Sequence, residues 1–147
     1  MKLNTASEAV SFSKKLENES AEFYENLAQR YVEGKETFLS FAKENGKNVV
    51  QVERAYYGVI TDAIEGCYSF AGIDTDNYSI ETALPEGTGY SNALSMAIAV
   101  EEKIVKYYLD AAKVSKSLMA DLPQAFERIA KKRSDRIAKI KSLPTGG

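Results

Sequence analysis

The 147 residues contain no histidine, no tryptophan and one cysteine, Cys67. Without histidine, Ser-His-Asp and Cys-His triads are excluded, as are the usual zinc sites and any metal site built on imidazole. Acid–base chemistry would fall to carboxylates, lysine or tyrosine. A single cysteine excludes an internal disulfide and a Cys-x-x-Cys site, so the expected setting is the reducing cytoplasm. No apolar run approaches the roughly 20 residues that cross a bilayer. The opening Met1-Lys2-Leu3-Asn4-Thr5 lacks the apolar stretch of a secretory signal. Neither sign of charge dominates: Lys+Arg is 19 and Asp+Glu is 21, for a net charge of −2. That balance does not drive nucleic-acid binding by counterion release. Neither a membrane nor a nucleic acid is an expected partner.

What remains is a chain that is 44% hydrophobic and 27% charged, the profile of one globular domain spanning 1–147. Proline is scarce, at 85, 123 and 144 only, and the long stretches between carry apolar residues at helical spacing. Thr5-x-x-Glu8 reads as a capping box that opens a helix over about 5–31. Its inner stripe is Ala9, Leu16, Ser20, Phe23, Tyr24, Leu27 and Tyr31. A turn at Gly34 leads to a second helix over about 35–65, stopped by Gly66. Residues 67–90 lose the period and collect glycine, Asp74-Thr75-Asp76-Asn77 and Pro85, which predicts a crossover with one helical turn near Ile80–Leu84. Helices over about 91–117 and 122–143 follow. Two tight hairpins joined by one long crossover form an all-α chain with the connectivity of a ferritin-like four-helix bundle.

The hairpins read as copies of each other. Leu16-Glu17, with Phe23-Tyr24 and Ala28, matches Val100-Glu101, with Tyr107-Tyr108 and Ala112, at one constant offset. Phe38-x-x-Phe41-Ala42-Lys43 matches Phe126-x-x-Ile129-Ala130-Lys131 in the same way. The run Glu17-Asn18-Glu19-Ser20-Ala21-Glu22-Phe23-Tyr24 resembles the Glu-x-Glu-x-x-Glu-Phe-Tyr element of the rubrerythrin branch of the ferritin-like superfamily. The run from Val100 to Tyr108 is similar to it more loosely.

That resemblance implies a core holding two irons or manganeses between two lone glutamates and two Glu-x-x-His pairs. The lone glutamates correspond to Glu17 and Glu101. Counted from Phe38, the first Glu-x-x-His falls on Asn45-Gly46-Lys47-Asn48; counted from Phe126, the second falls on Arg133-Ser134-Asp135-Arg136. All four of those implied ligands are replaced, two of them by cations. No cofactor is expected. The resemblance also implies a homodimer.

By helical phase Asn45 shares a stripe with Phe38, Phe41, Val49 and Val52, and Arg133 with Phe126, Ile129, Ile137 and Ile140. Glu101 is ringed by Leu94, Ala97, Ile98, Ile104, Val105 and Tyr108. Arg136 and Glu17 have polar neighbours as well. Two glutamates and two arginines sum to zero, and a guanidinium fork matches carboxylates. Asn45 and Asn48 would satisfy the remaining oxygens and N–H groups. The sequence therefore predicts a buried network of Glu17, Asn45, Asn48, Glu101, Arg133 and Arg136 in place of a metal centre. The alternative is that the arginines snorkel to solvent and leave Glu101 protonated or hydrated.

Tyr24 and Tyr108 read as core packing with a hydroxyl at the rim. Cys67 reads as an incidental thiol, and Lys131, Lys132, Lys139 and Lys141 as solvated surface. The expected function is a metal-free, non-catalytic module of structure or interaction. Two alternatives stay open: an oxidoreductase that binds metal through Glu17, Glu101 and Glu44, and a binder of a small ligand in the emptied core.

Overall fold

The computed structural model describes residues 1–57, 72–115 and 121–144. Among them are four α-helices and no strand: α1 Ala6–Arg30, α2 Lys35–Tyr57, α3 Tyr90–Ser115 and α4 Asp121–Ser142. None is long and apolar enough to cross a membrane. The expected continuation of α2 to residue 65, the stop at Gly66, Cys67 and the end of the third helix at 116–117 lie outside the described residues.

Helix α1 starts where its capping box places it. Thr5 Oγ1 accepts from the Glu8 N–H at 3.1 Å, and Glu8 Oε1 accepts from the Thr5 N–H at 3.1 Å. These bonds satisfy donors that the first helical turn leaves open. Between α1 and α2 the chain reverses through a 3₁₀ turn, Val32–Gly34. A Cβ on Gly34 would stand 2.7 Å from both the Phe38 ring and the Tyr90 hydroxyl, so close approach is what requires glycine here.

Helix α1 packs on α2 and α3 on α4; the two hairpins meet chiefly through α2 with α4, and also through α1 with α3. Arg136 reaches Glu44 and Phe41 while Lys132 reaches Gln51, so α2 and α4 run antiparallel. Aromatic rings fill the centre. Tyr24 packs edge-on to Phe41 at 5.2 Å between ring centroids, and Tyr107 and Tyr108 lie against Phe126. Burial of such rings, with the leucine and alanine stripes beside them, is the main source of stability. The stripes of α1 and α3 are buried largely as their periodicity predicts. On α2, by contrast, Val49 of the Asn45 stripe is only half-buried, and the fully buried face is Phe38, Phe41, Asn45, Asn48 and Val52. Two polar residues displace apolar ones from the core side.

The described part of the crossover departs from the expected helical turn near Ile80–Leu84. The turn is instead 3₁₀ and spans Thr75–Tyr78. Asp74 caps it by accepting from the Asp76 N–H at 3.0 Å, and Tyr78 is buried against Tyr107 with its hydroxyl on Asp110 at 2.6 Å. Residues 80–84 precede Pro85, which disfavours helix at Leu84. The Arg30 guanidinium also takes the Leu84 and Pro85 carbonyls at 2.9 and 3.0 Å. This segment is strapped to the end of α1, and within it the Ala83 N–H donates to Glu81 Oε1 at 3.2 Å instead of closing a helical turn.

Candidate functional site

Four helices bring Glu17, Asn45, Asn48, Glu101, Arg133 and Arg136 into one cluster at the centre of the bundle. Arg133, Glu101 and Asn48 are 0% exposed, Glu17 and Asn45 1%, and Arg136 3%. The snorkelling alternative does not hold for either arginine. Each residue stands on the inner stripe of its helix, and only Arg136 reaches a partner at the solvent edge, Glu44.

Arg133 is the hub. Its Nη1 donates to Glu101 Oε1 at 2.8 Å and Oε2 at 2.6 Å. Nη2 donates to Glu17 Oε1 at 2.7 Å, and Nε to Glu17 Oε2 at 3.2 Å. Nη2 also donates to Ser20 Oγ at 3.1 Å and to Asn45 Oδ1 at 3.3 Å. All three nitrogens of the guanidinium are thus engaged, and it bridges two carboxylates on different helices.

Arg136 closes the side toward α2. Nη1 donates to Glu101 Oε1 at 3.1 Å, and Nη2 to the Phe41 carbonyl at 3.1 Å and Glu44 Oε1 at 3.0 Å. Its guanidinium also lies over the Phe41 ring, 5.0 Å from the centroid. Glu44 is 38% exposed, so the outer edge of the network touches solvent.

The asparagines hold α1. Asn45 Nδ2 donates to the Glu17 carbonyl at 2.9 Å and to Ser20 Oγ at 2.8 Å, while Asn48 Nδ2 donates to Glu17 Oε1 at 3.1 Å. Asn48 Oδ1 is buried without a hydrogen-bond partner among the described residues.

Tyr24 and Tyr108 do not sit at the rim as their sequence pattern predicts. Both are fully buried, and their hydroxyls complete the network. Tyr24 of α1 donates to Glu101 of α3 at 2.7 Å, and Tyr108 of α3 donates to Glu17 of α1 at 2.7 Å. The two halves of the chain make the same contact reciprocally.

Burial pushes both tyrosines well above their ordinary pKa, and the adjacent carboxylates add to the effect. For Arg133 burial pulls the other way, but the Glu101 and Glu17 carboxylates outweigh it and hold the guanidinium well above its usual value. The core therefore fixes two neutral phenols and a permanent cation between two glutamates. Separating the pair would leave a charge in a medium that solvates it poorly.

All four carboxylate oxygens of Glu17 and Glu101 already accept hydrogen bonds from arginine, asparagine or tyrosine. Among the described residues no group of three or more His, Cys, Asp or Glu is placed to hold a metal ion. The donor set does not fit the two divalent cations that the family resemblance implies. A guanidinium stands between the carboxylates, and its charge would repel a dication. Chemically the arrangement can lock four helices together, with the Glu44 carboxylate at its solvent edge.

Sequence reasoning missed Ser20, Tyr24, Tyr108 and the pairing of Glu44 with Arg136. The signal for the tyrosines was present: each lies two turns beyond a glutamate, on that glutamate's own stripe. Antiparallel packing then sets each phenol opposite the other helix's glutamate. Compared with protein-family profiles, curated proteins and solved structures, the chain matches none.

Proposed function

We propose that this protein is a metal-free, non-catalytic ferritin-like module of the rubrerythrin type, working by structure or interaction rather than by chemistry. In this reading Glu17 and Glu101 keep the positions of metal ligands. Asn45, Asn48, Arg133 and Arg136 stand where two Glu-x-x-His pairs would be, and the guanidinium takes over the electrostatic role of the metals. The observation that carries the reading is Arg133, wholly buried and bonded to both glutamates at 2.6 to 3.2 Å. Arg133, Tyr24 and Tyr108 fill the middle of the bundle, which disfavours a small-ligand site in the core. The test is elemental analysis of protein produced with iron, manganese and zinc supplied. The expected result is no stoichiometric metal and no peroxidase or ferroxidase turnover; about two transition-metal ions per chain would overturn the reading.

A further inference from the structure

We propose that the groove between α2 and α4, on the outside of the bundle, docks an acidic amphipathic helix of a different protein. The inference rests on the interaction reading above and gives it a class of partner.

The groove has a volume of about 840 Å³ and, among the described residues, carries Lys43, Lys47, Arg54, Arg128 and Lys132 against one carboxylate, Asp121. Five cations gather here in a chain whose net charge is −2. The side-chain ion pairs of the described residues use other cations: Lys14, Lys15, Lys106, Arg133 and Arg136. Among the described residues Lys132 donates to Gln51 Oε1 alone, at 3.5 Å. The positive charge of the groove is therefore uncompensated among the described residues.

Its floor is apolar and shallow-chained, formed by Gly46, Val50, Ala55 and Ala125. Gly46 lies in the middle of α2, where glycine costs roughly 1 kcal/mol against alanine. A Cβ there would meet nothing within 4 Å, so packing within the fold does not require the glycine. Its effect is to leave space on the groove side. On the same face of α2, Leu39, Val50 and Tyr57 are 44%, 45% and 71% exposed, three of the six large apolar side chains that are exposed among the described residues. Spacings of eleven and seven residues put them on one stripe with the cations.

This pattern selects the occupant. A phosphate site gathers cations and free backbone N–H groups around one point. Here the cations are strung along about 16 Å of helix, from Lys43 to Arg54, and the mid-helix N–H groups are already bonded within α2. Apolar floor and basic rims complement a helix with an apolar seam and acidic flanks. A second copy of this chain fits poorly. Pairing the groove with itself would oppose five cations to five. Of the remaining exposed apolar residues, Met1, Val32 and Leu109 each stand alone on their elements.

The test titrates the full chain with a labelled synthetic peptide of about four helical turns, leucines at i, i+3, i+4 and i+7 and glutamates on both flanks. Fluorescence anisotropy should show saturable one-to-one binding, weakened about tenfold or more by Lys47→Glu with Lys132→Glu. Both positions are exposed, and circular dichroism should confirm an unchanged fold. Gly46→Leu should fill the floor and abolish binding. Equal binding by a glutamate peptide without leucines, or binding indifferent to Gly46→Leu, would reduce the groove to a general basic patch and overturn the proposal. So would the absence of saturable binding. Self-association in sedimentation that Lys47→Glu removes would assign the groove to a second copy instead. None of these results bears on metal content, so failure here leaves the metal-free reading to its own test.

Discussion

Arg133 Nη1 lies 2.8 Å from Glu101 Oε1 and 2.6 Å from Oε2, so one nitrogen serves both oxygens of that carboxylate. The rest of the fork is left to reach Glu17 on the opposite hairpin. A lysine has no such division of labour, because its donors radiate from one point on a flexible stem.

Arg133→Ala is accordingly expected to lower stability by about 3–5 kcal/mol, since it leaves the buried Glu17 without a cation and Glu101 with Arg136 alone. Arg133→Lys should recover only part of that loss. Denaturant unfolding of the three proteins at one pH measures the difference. A lysine variant as stable as the parent would show that charge alone, not the fork, holds the hairpins together.

Removing the hydroxyls in Tyr24→Phe or Tyr108→Phe should cost about 1.5–3 kcal/mol each, the range for a hydrogen bond to a charged group. The same groups set an alkaline limit. Their folded pKa values are raised above the unfolded value near 10. Above about pH 10 the unfolded chain releases phenolic protons that the folded one keeps. Their contribution is therefore whole below pH 10 and is lost as pH rises further. The double Phe variant should lose stability less steeply in that range. Tyrosinate absorbance and circular dichroism, followed together, should show the buried phenols ionising only as the helices melt.

Gly34→Ala should destabilise by about 1–3 kcal/mol, because its methyl group overlaps the buried Phe38 ring and the Tyr90 hydroxyl. Coupling it with Phe38→Leu should relieve part of the cost, and thermal unfolding of the pair decides whether crowding is the cause.

The quadruple variant Asn45→Glu, Asn48→His, Arg133→Glu, Arg136→His should acquire metal binding. It places four carboxylates and two imidazoles on positions that already face inward. Without metal it should be less stable than the parent, because the carboxylates crowd one core with no cation between them. Manganese or iron should restore stability by binding the folded state alone. A variant that folds yet takes up no metal would refute the register assigned to the lost pairs.

The four described helices, the capping box, the α1 stripe and the inward phase of Arg133 and Glu101 could all be read from sequence, because each depends on periods of three to seven residues. What could not be read depends on which helix faces which. The partner of Tyr24 is set by the antiparallel apposition of α1 and α3, and the pairing of Arg136 with Glu44 by that of α2 and α4. No turn forms near Ile80–Leu84, because Glu81 Oε1 takes the Ala83 N–H at 3.2 Å and Arg30, 54 residues away from Leu84, ties the segment to α1. Local propensity carries no record of so distant a tie.

The bonds that Arg133 makes to Glu17 close a loop of 116 residues, whereas each hairpin pairs helices that are near neighbours in sequence. Short-range helical contacts form early, and closing so long a loop costs entropy that is recovered only when both hairpins are already in place. The central network is accordingly expected to form last in the folding reaction, after the rate-limiting barrier. Its loss should appear in the unfolding limb of a chevron plot, with the folding limb nearly unchanged. On that outcome Arg133 is a latch: it adds little to how fast the bundle assembles and sets how long the assembled bundle lasts.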